Sequence, residues 1–161
     1  MNKKIMLIGT ITLIIDQLLK IIVETNLTLN NYIVVIQDFF NIRNVNNYGA
    51  GWGILQNQRF LLIGVSIVAL FIIYRYMNTF KTNWRNNLAF GLLYGGITGN
   101  LIDRLFLGYV RDFLDFNIFG YNFPVFIISD IAICIGVALL IFAIIKGEDN
   151  ENKSRKKSTK N

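Results

Sequence analysis

Residues 125–145, VFIISDIAICIGVALLIFAII, form a 21-residue run carrying one charge, Asp130. A bilayer core takes about 20 helical residues, so this run reads as a membrane-crossing helix. Three more apolar stretches can be drawn outward from it. They cover residues 5–23, interrupted by Asp16 and Lys20, residues 60–76, and residues 88–107. The second is short and borrows Arg59, or Arg75 and Tyr76, as snorkelling ends. The expectation is an all-α integral membrane protein with four transmembrane helices. Lys3 and Lys4 would suit a cleaved signal peptide, but the first stretch holds an ionised pair and no small-x-small cleavage site follows Val23.

Composition supports that class. The chain has 161 residues, which suits one domain. It is 53% hydrophobic and 16% charged, whereas soluble domains carry about 25% charged residues. There is no histidine, which removes Ser-His-Asp and Cys-His mechanisms and His-ligated metals. There is one cysteine, which removes an internal disulfide and a Cys-based zinc site.

The formal net charge of +6 is a topology signal. Lys3, Lys4, Arg75, Lys81, Arg85, Lys146 and the basic cluster after it fall at one set of helix ends; Arg43, Arg59, Arg104 and Arg111 fall at the other. The positive-inside rule then puts both termini and the 75–87 loop in the cytoplasm, with 24–59 and 103–124 facing outward. Nucleic acid is not needed to explain the charge, and no nucleic-acid partner is expected. Residues 1–145 form the membrane-embedded domain. Residues 146–161 read as a disordered basic cytoplasmic tail near anionic lipid heads. Loop 24–59 is too long for a plain connector. Its β-branched and aromatic runs Tyr32–Ile36 and Phe39–Ile42 predict a small outward-facing sheet on the membrane surface. The one proline, Pro124, suits the first turn of the last helix.

Ionisable residues inside a bilayer are costly and mark function by default. At 1.5 Å per residue, Asp16 lies ~10 Å and Asp130 ~8 Å below the outward helix ends; Asn100, Asp103 and Arg104 lie near the same level. Asp16 and Lys20 are spaced i, i+4 and read best as a satisfied pair orienting the first helix. Asp103 and Arg104 can brace a helix end, and Asn100 can be interhelical glue. Gly91, Gly95 and Gly99 make a stripe for close helix approach, and no Gly-Lys-Ser/Thr follows to make it a phosphate loop. Asp130 is different: Phe126 and Cys134 occupy its i±4 positions, so it must be protonated or matched from another element. The outward segment 103–124, read as an apolar stretch lying at the interface, offers Asp112 and Asp115. Two carboxyls sharing one proton can activate water and protonate a leaving amine. Spacing alone does not choose between Asp103 and Asp112 as the partner.

Five blocks in order carry a resemblance. They are Asp16-x-x-x-Lys20, the stretch Asn47-Tyr48-Gly49-Ala50-Gly51-Trp52-Gly53, the run Gly95 to Arg104, Val110-Arg111-Asp112-Phe113, and Phe126-Ile127-Ile128-Ser129-Asp130. Across about residues 1–145 the chain resembles the bacterial lipoprotein signal peptidases (signal peptidase II). The resemblance implies an intramembrane aspartyl endopeptidase of the bacterial cell membrane. It would remove signal peptides from diacylglyceryl-modified prolipoproteins, cutting before the lipid-bearing cysteine. It places the catalytic pair on Asp112 and Asp130, with Asp16, Lys20, Asn47, Asn100, Asp103 and Arg104 in support or substrate contact; Asp115 lies outside the matched blocks. Arg104 and Arg111 would sit near lipid head groups. No metal or cofactor is implied. The expected partners are lipidated prolipoproteins and membrane lipids, and the expected state is a monomer.

There is one departure. The family's last block usually reads Phe-Asn-x-Ala-Asp-Ser, and here Ile127, Ser129 and Ile131 replace the asparagine, alanine and serine. If that asparagine bonds within the site, Ile127→Asn should raise activity. The departure also frames the alternative, a diverged paralogue that binds precursors without cleaving them. Two other classes are a non-enzymatic lipoprotein chaperone and a proton-coupled carrier using Asp130 and Asp16.

Overall fold

A computed structural model of the chain describes residues 2–149. In chain order the elements are α1 (Lys3–Asn26), β1 (Tyr32–Ile36), β2 (Phe40–Asn47), α2 (Arg59–Tyr76), α3 (Trp84–Phe106), β3 (Val110–Ile118), β4 (Tyr121–Asn122) and α4 (Ile128–Ile145). A short 3-10 turn, Gly51–Gly53, precedes α2.

Three of these helices, α1, α2 and α4, are long and apolar enough to cross a membrane, with mean hydropathies of 2.0, 1.8 and 2.7. Expectation had four. The helix that does not meet that measure, α3, packs against all three others. Its surface is therefore largely covered by protein, and it can bury Asn86, Asn87, Asn100 and Asp103. The outward faces of its neighbours are apolar instead, as at Leu7, Phe71 and Ile141. Two glycines set how closely the neighbours come. A Cβ on Gly99 would lie 2.5 Å from Asp16 Oδ2, and one on Gly96 would lie 2.6 Å from the carbonyl oxygen of Ser129. The predicted stripe thus serves α1, while Gly96 beside it serves α4.

Local sequence sets the helix starts. The side chain of Asn2 accepts the N–H of Lys4 to cap α1, and that of Asn83 accepts the N–H of Asn86 to cap α3. Ile127, which opens α4, has no such side chain. The last carbonyls of α3 are taken by Arg59, whose Nε and Nη2 donate to the carbonyls of Arg104 and Leu105 at 2.7 Å each.

The sheet is more than the expected decoration of 24–59, so the fold is not all-α. Its four strands run antiparallel in the order β1-β2-β3-β4. β1 has the predicted bounds and every residue of it is exposed. The segment read as lying at the interface forms β3, a central strand. Gly108 (φ 91°) and Gly120 (φ 83°) bound it in turns that favour glycine. Pro124 is not in the first turn of α4. It belongs to an extended segment in which Phe126 exchanges backbone hydrogen bonds with Leu114 at 2.8 and 3.0 Å. That bridge ties β3 directly to the start of α4.

Beyond α4 the chain folds back. Lys81 N–H donates to the carbonyl of Glu148 at 2.8 Å, and the Glu148 carboxylate takes Asn83, Asn86 and Arg85 at 2.9, 3.1 and 2.7 Å. Residues 150–161 of the expected tail lie outside the described residues.

Candidate active site

Asp112 sits on β3, two residues from the backbone bridge to Phe126, and Asp130 sits in the first turn of α4. Both line a cavity of about 470 Å³ together with Asn47, Asn100 and Arg104. The rest of the wall is chiefly apolar, including Trp52, Val125 and Ile131. Antiparallel register explains the first pairing. Val110 lies opposite Asn47, so Asp112 is the diagonal neighbour of Asn47.

Each carboxyl holds one amide. Asn47 Nδ2 donates to Asp112 Oδ2 at 2.8 Å, and Asn100 Nδ2 donates to Asp130 Oδ1 at 3.0 Å. The carbonyl end of each amide is also occupied. Gly49 N–H donates to Asn47 Oδ1 at 2.8 Å, and the Ser129 hydroxyl donates to Asn100 Oδ1 at 2.7 Å. Asp112 Oδ1 is buried and takes no hydrogen bond from the described residues. Burial pushes the Asp112 carboxyl up to about 7; the Asn47 amide pulls it down and nearby Asp130 pushes it up. Arg104 adds positive charge at the rim and pins the Gly49 loop, its Nη2 donating to the Gly49 carbonyl at 2.8 Å.

The remaining predicted residues are not in the cavity wall. Asp16, Lys20 and Asp103 form a buried ionic layer behind it, with side chains fully shielded. Lys20 Nζ lies 2.7 Å from Asp16 and 3.2 Å from Asp103. The hub of this layer is Arg111, which is not at lipid head groups as expected. Its backbone N–H, Nε and Nη2 all donate to the Asp103 carboxylate, Nη1 donates to Glu24 and Nη2 to Gln17. Strand alternation turns Arg111 away from the side presented by Asp112. Gln17 bridges further, its amide donating to Asp103, Asp16 and the Gly99 carbonyl. A signal for this layer was present: Gln17, Lys20 and Glu24 fall at i, i+3, i+7, one polar stripe on an otherwise apolar helix.

Asp16 has a second task. Its Oδ1 accepts the backbone N–H of Ser129 at 3.0 Å, supplying α4 with the cap that Ile127 lacks. Ile127 is itself completely buried in an apolar cluster with Val110 and Phe113 and does not line the cavity. Asp115 lines a separate polar groove on the sheet with Arg43 and Asp38.

Residues 8–146 match the family model described as signal peptidase (SPase) II. The lipoprotein signal peptidase of Staphylococcus aureus (strain bovine RF122 / ET3-1) is 40% identical over 151 residues, covering 93% of this chain and 91% of that protein. The protein of the same description in strain JH9 gives the same identity and coverage. A bacterial membrane enzyme solved by the in meso method at 2.3 Å superposes with a TM-score of 0.81 at 37% identity, over 91% of this chain and 90% of its own. A second, at 1.9 Å, gives 0.74 and 36%, over 88% and 92%. With sequence, fold and a family match over most of its length in agreement, the chain belongs to the signal peptidase II family of aspartic peptidases.

Proposed function

We propose that Asp112 and Asp130 are the catalytic pair, and that the protein cuts diacylglyceryl-modified prolipoproteins just before the lipid-bearing cysteine. The observation that carries this reading is the placement of the two carboxyls, from different elements, in one mainly apolar cavity, each gripping an asparagine amide. With no histidine in the chain, a carboxylate pair is the hydrolytic machinery its residues can assemble.

The chemistry follows from two carboxyls that share one proton. In this reading Asp112 holds that proton at the start of the cycle. Asp130 acts as the base: it takes a proton from water as the water oxygen bonds to the scissile carbonyl carbon. Asp112 donates its proton to the carbonyl oxygen. On collapse, one hydroxyl proton of the gem-diol returns to Asp112 as the C=O bond re-forms, the C–N bond breaks, and the proton on Asp130 passes to the departing amine. Arg104 and the Asn47 and Asn100 amides hold the acids in register. The apolar wall beside α4 suits a signal-peptide segment entering from lipid.

All four helices cross the cell membrane in this reading, α3 included, because its polar residues are covered by the other three. Both termini face the cytoplasm, as the asymmetry of Lys and Arg supports. The protein works as a monomer in contact with membrane lipid.

The test uses purified protein in detergent with a lipidated precursor peptide. Asp112→Asn and Asp130→Asn should each lower cleavage at least about 10³-fold with no fall in the thermal midpoint. Residual cleavage near wild type in either variant refutes the assignment. A chelator should leave the rate unchanged; chelator-sensitive loss also counts against the pair.

A further inference from the structure

We infer that Ser129 is a positioning residue for Asp130, acting through Asn100 by fixing which end of the Asn100 amide faces the carboxyl. The inference rests on the reading above, in which Asp130 is one of the catalytic acids.

An asparagine side chain can present either its NH₂ or its oxygen, and the two choices have opposite effects on a neighbouring carboxylate. At Asp112 the choice is made by the backbone: Gly49 N–H can only donate, so it holds Asn47 Oδ1 and leaves the NH₂ for Asp112 Oδ2. At Asp130 no backbone N–H among the described residues plays that part. The Ser129 hydroxyl does so, donating to Asn100 Oδ1 at 2.7 Å while Asn100 Nδ2 reaches Asp130 Oδ1 at 3.0 Å. The two acids are thus served by parallel pairs, Gly49–Asn47 and Ser129–Asn100.

Several observations make Ser129 suited to this. It is wholly buried, so water does not compete for its hydroxyl. It is the second residue of α4, where no helical carbonyl lies four residues back to capture a serine hydroxyl. Its own N–H is already held by Asp16 Oδ1 at 3.0 Å, which fixes the backbone carrying the hydroxyl. Gly96 lets the backbone at Ser129 lie against α3, within reach of Asn100 one turn further on.

The experiment measures kcat, KM and thermal midpoint in detergent for wild type, Ser129→Ala, Asn100→Ala and the double variant. Single-turnover conditions with enzyme in excess give the slow rates, and Asp130→Asn is assayed in parallel. Alanine at this position removes only the hydroxyl oxygen. Ser129→Ala should lower kcat about fivefold, the value of one buried neutral hydrogen bond, with KM and midpoint unchanged. Added to Asn100→Ala, it should cost no further rate, because its effect passes through that amide. Unchanged kcat in Ser129→Ala overturns the inference. So does a loss that comes with a shifted KM or midpoint, or one that repeats in full on Asn100→Ala. If Asp130→Asn still cleaves, the catalytic assignment fails; if it is inert and Ser129→Ala is silent, only the present inference does.

Discussion

The carboxylate of Asp16, on the first helix, accepts the backbone N–H of Ser129 at 3.0 Å, one residue before Asp130 on the last helix. An acid 113 positions away in sequence therefore aims the helix start that carries Asp130. The same carboxylate lies 2.7 Å from Lys20 Nζ.

Asp16→Ala removes both partners at once. Lys20 would keep Asp103 alone, and α4 would lose its cap. A buried pair broken from one side costs about 3–5 kcal/mol, so the thermal midpoint in detergent should fall clearly and cleavage should fall with it. Asp16→Asn keeps an acceptor for Ser129 and should lie between wild type and Asp16→Ala. An Asp16→Ala variant as stable as wild type would show that the buried layer is not holding α4.

The raised Asp112 carboxyl makes stability depend on pH with a definite sign. Its folded pKa, about 7, lies above the ordinary carboxylate value of 3.8. Between those values the folded protein binds the proton and the unfolded chain does not. The stabilisation from this group is therefore complete below about pH 4 and is lost as pH rises through about 7. Asp112→Asn should remove that dependence, so its midpoint should gain on wild type from pH 5 to pH 8. Asn47→Ala removes a donor that lowers this pKa and should move the corresponding limb of the cleavage profile to higher pH. A limb that stays still would disconnect Asn47 from the chemistry.

Arg111 carries no role in the cavity, yet it joins β3 to α1 and α3. Arg111→Leu would leave Asp103 with Lys20 as its one cationic partner and cost about 3–5 kcal/mol. Arg111→Lys keeps charge without the fork that contacts Asp103, Glu24 and Gln17, and should recover only part of the loss. Both should lower kcat more than they raise KM, because they displace the strand that presents Asp112. The midpoints and a kcat and KM series decide it.

Ile127→Asn is expected to behave differently from what the family pattern alone suggests. The side chain at 127 fills an apolar cluster with Val110 and Phe113. An amide there lacks a partner and should cost about 1–3 kcal/mol, after the gain of an N-capping side chain is allowed for. Turnover should not rise. A more active and equally stable Ile127→Asn would mean that this side chain turns toward the cavity.

The apolar helices were legible because lipid-facing surface must be apolar along its whole length, and the bounds of β1 were legible from its β-branched run. β3 was hidden: its inward and outward residues are interrupted by the neighbouring charges Arg111 and Asp112, which obscure the alternation. The turns at Gly108 and Gly120 were its best signal. Asp16 with Lys20 read correctly as a pair, since i, i+4 spacing is local. Their contacts to Asp103 and Ser129 depend on how closely α1 and α4 approach α3, which spacing does not encode. Arg111 looked like an interfacial cation because its partners come from two other elements.

The covering of α3 by its neighbours has a consequence for biogenesis. A helix bearing Asn100, Asp103 and Arg104 partitions poorly from the translocon into lipid when it is alone. α1 and α2 emerge first, so on the proposed topology they can wait in the bilayer as a receptor for it, with Lys20 placed to meet Asp103. Chains stopped after α3 would carry Asp103 without Arg111, and the midpoint of the nascent chain's insertion should depend on whether β3 has been made.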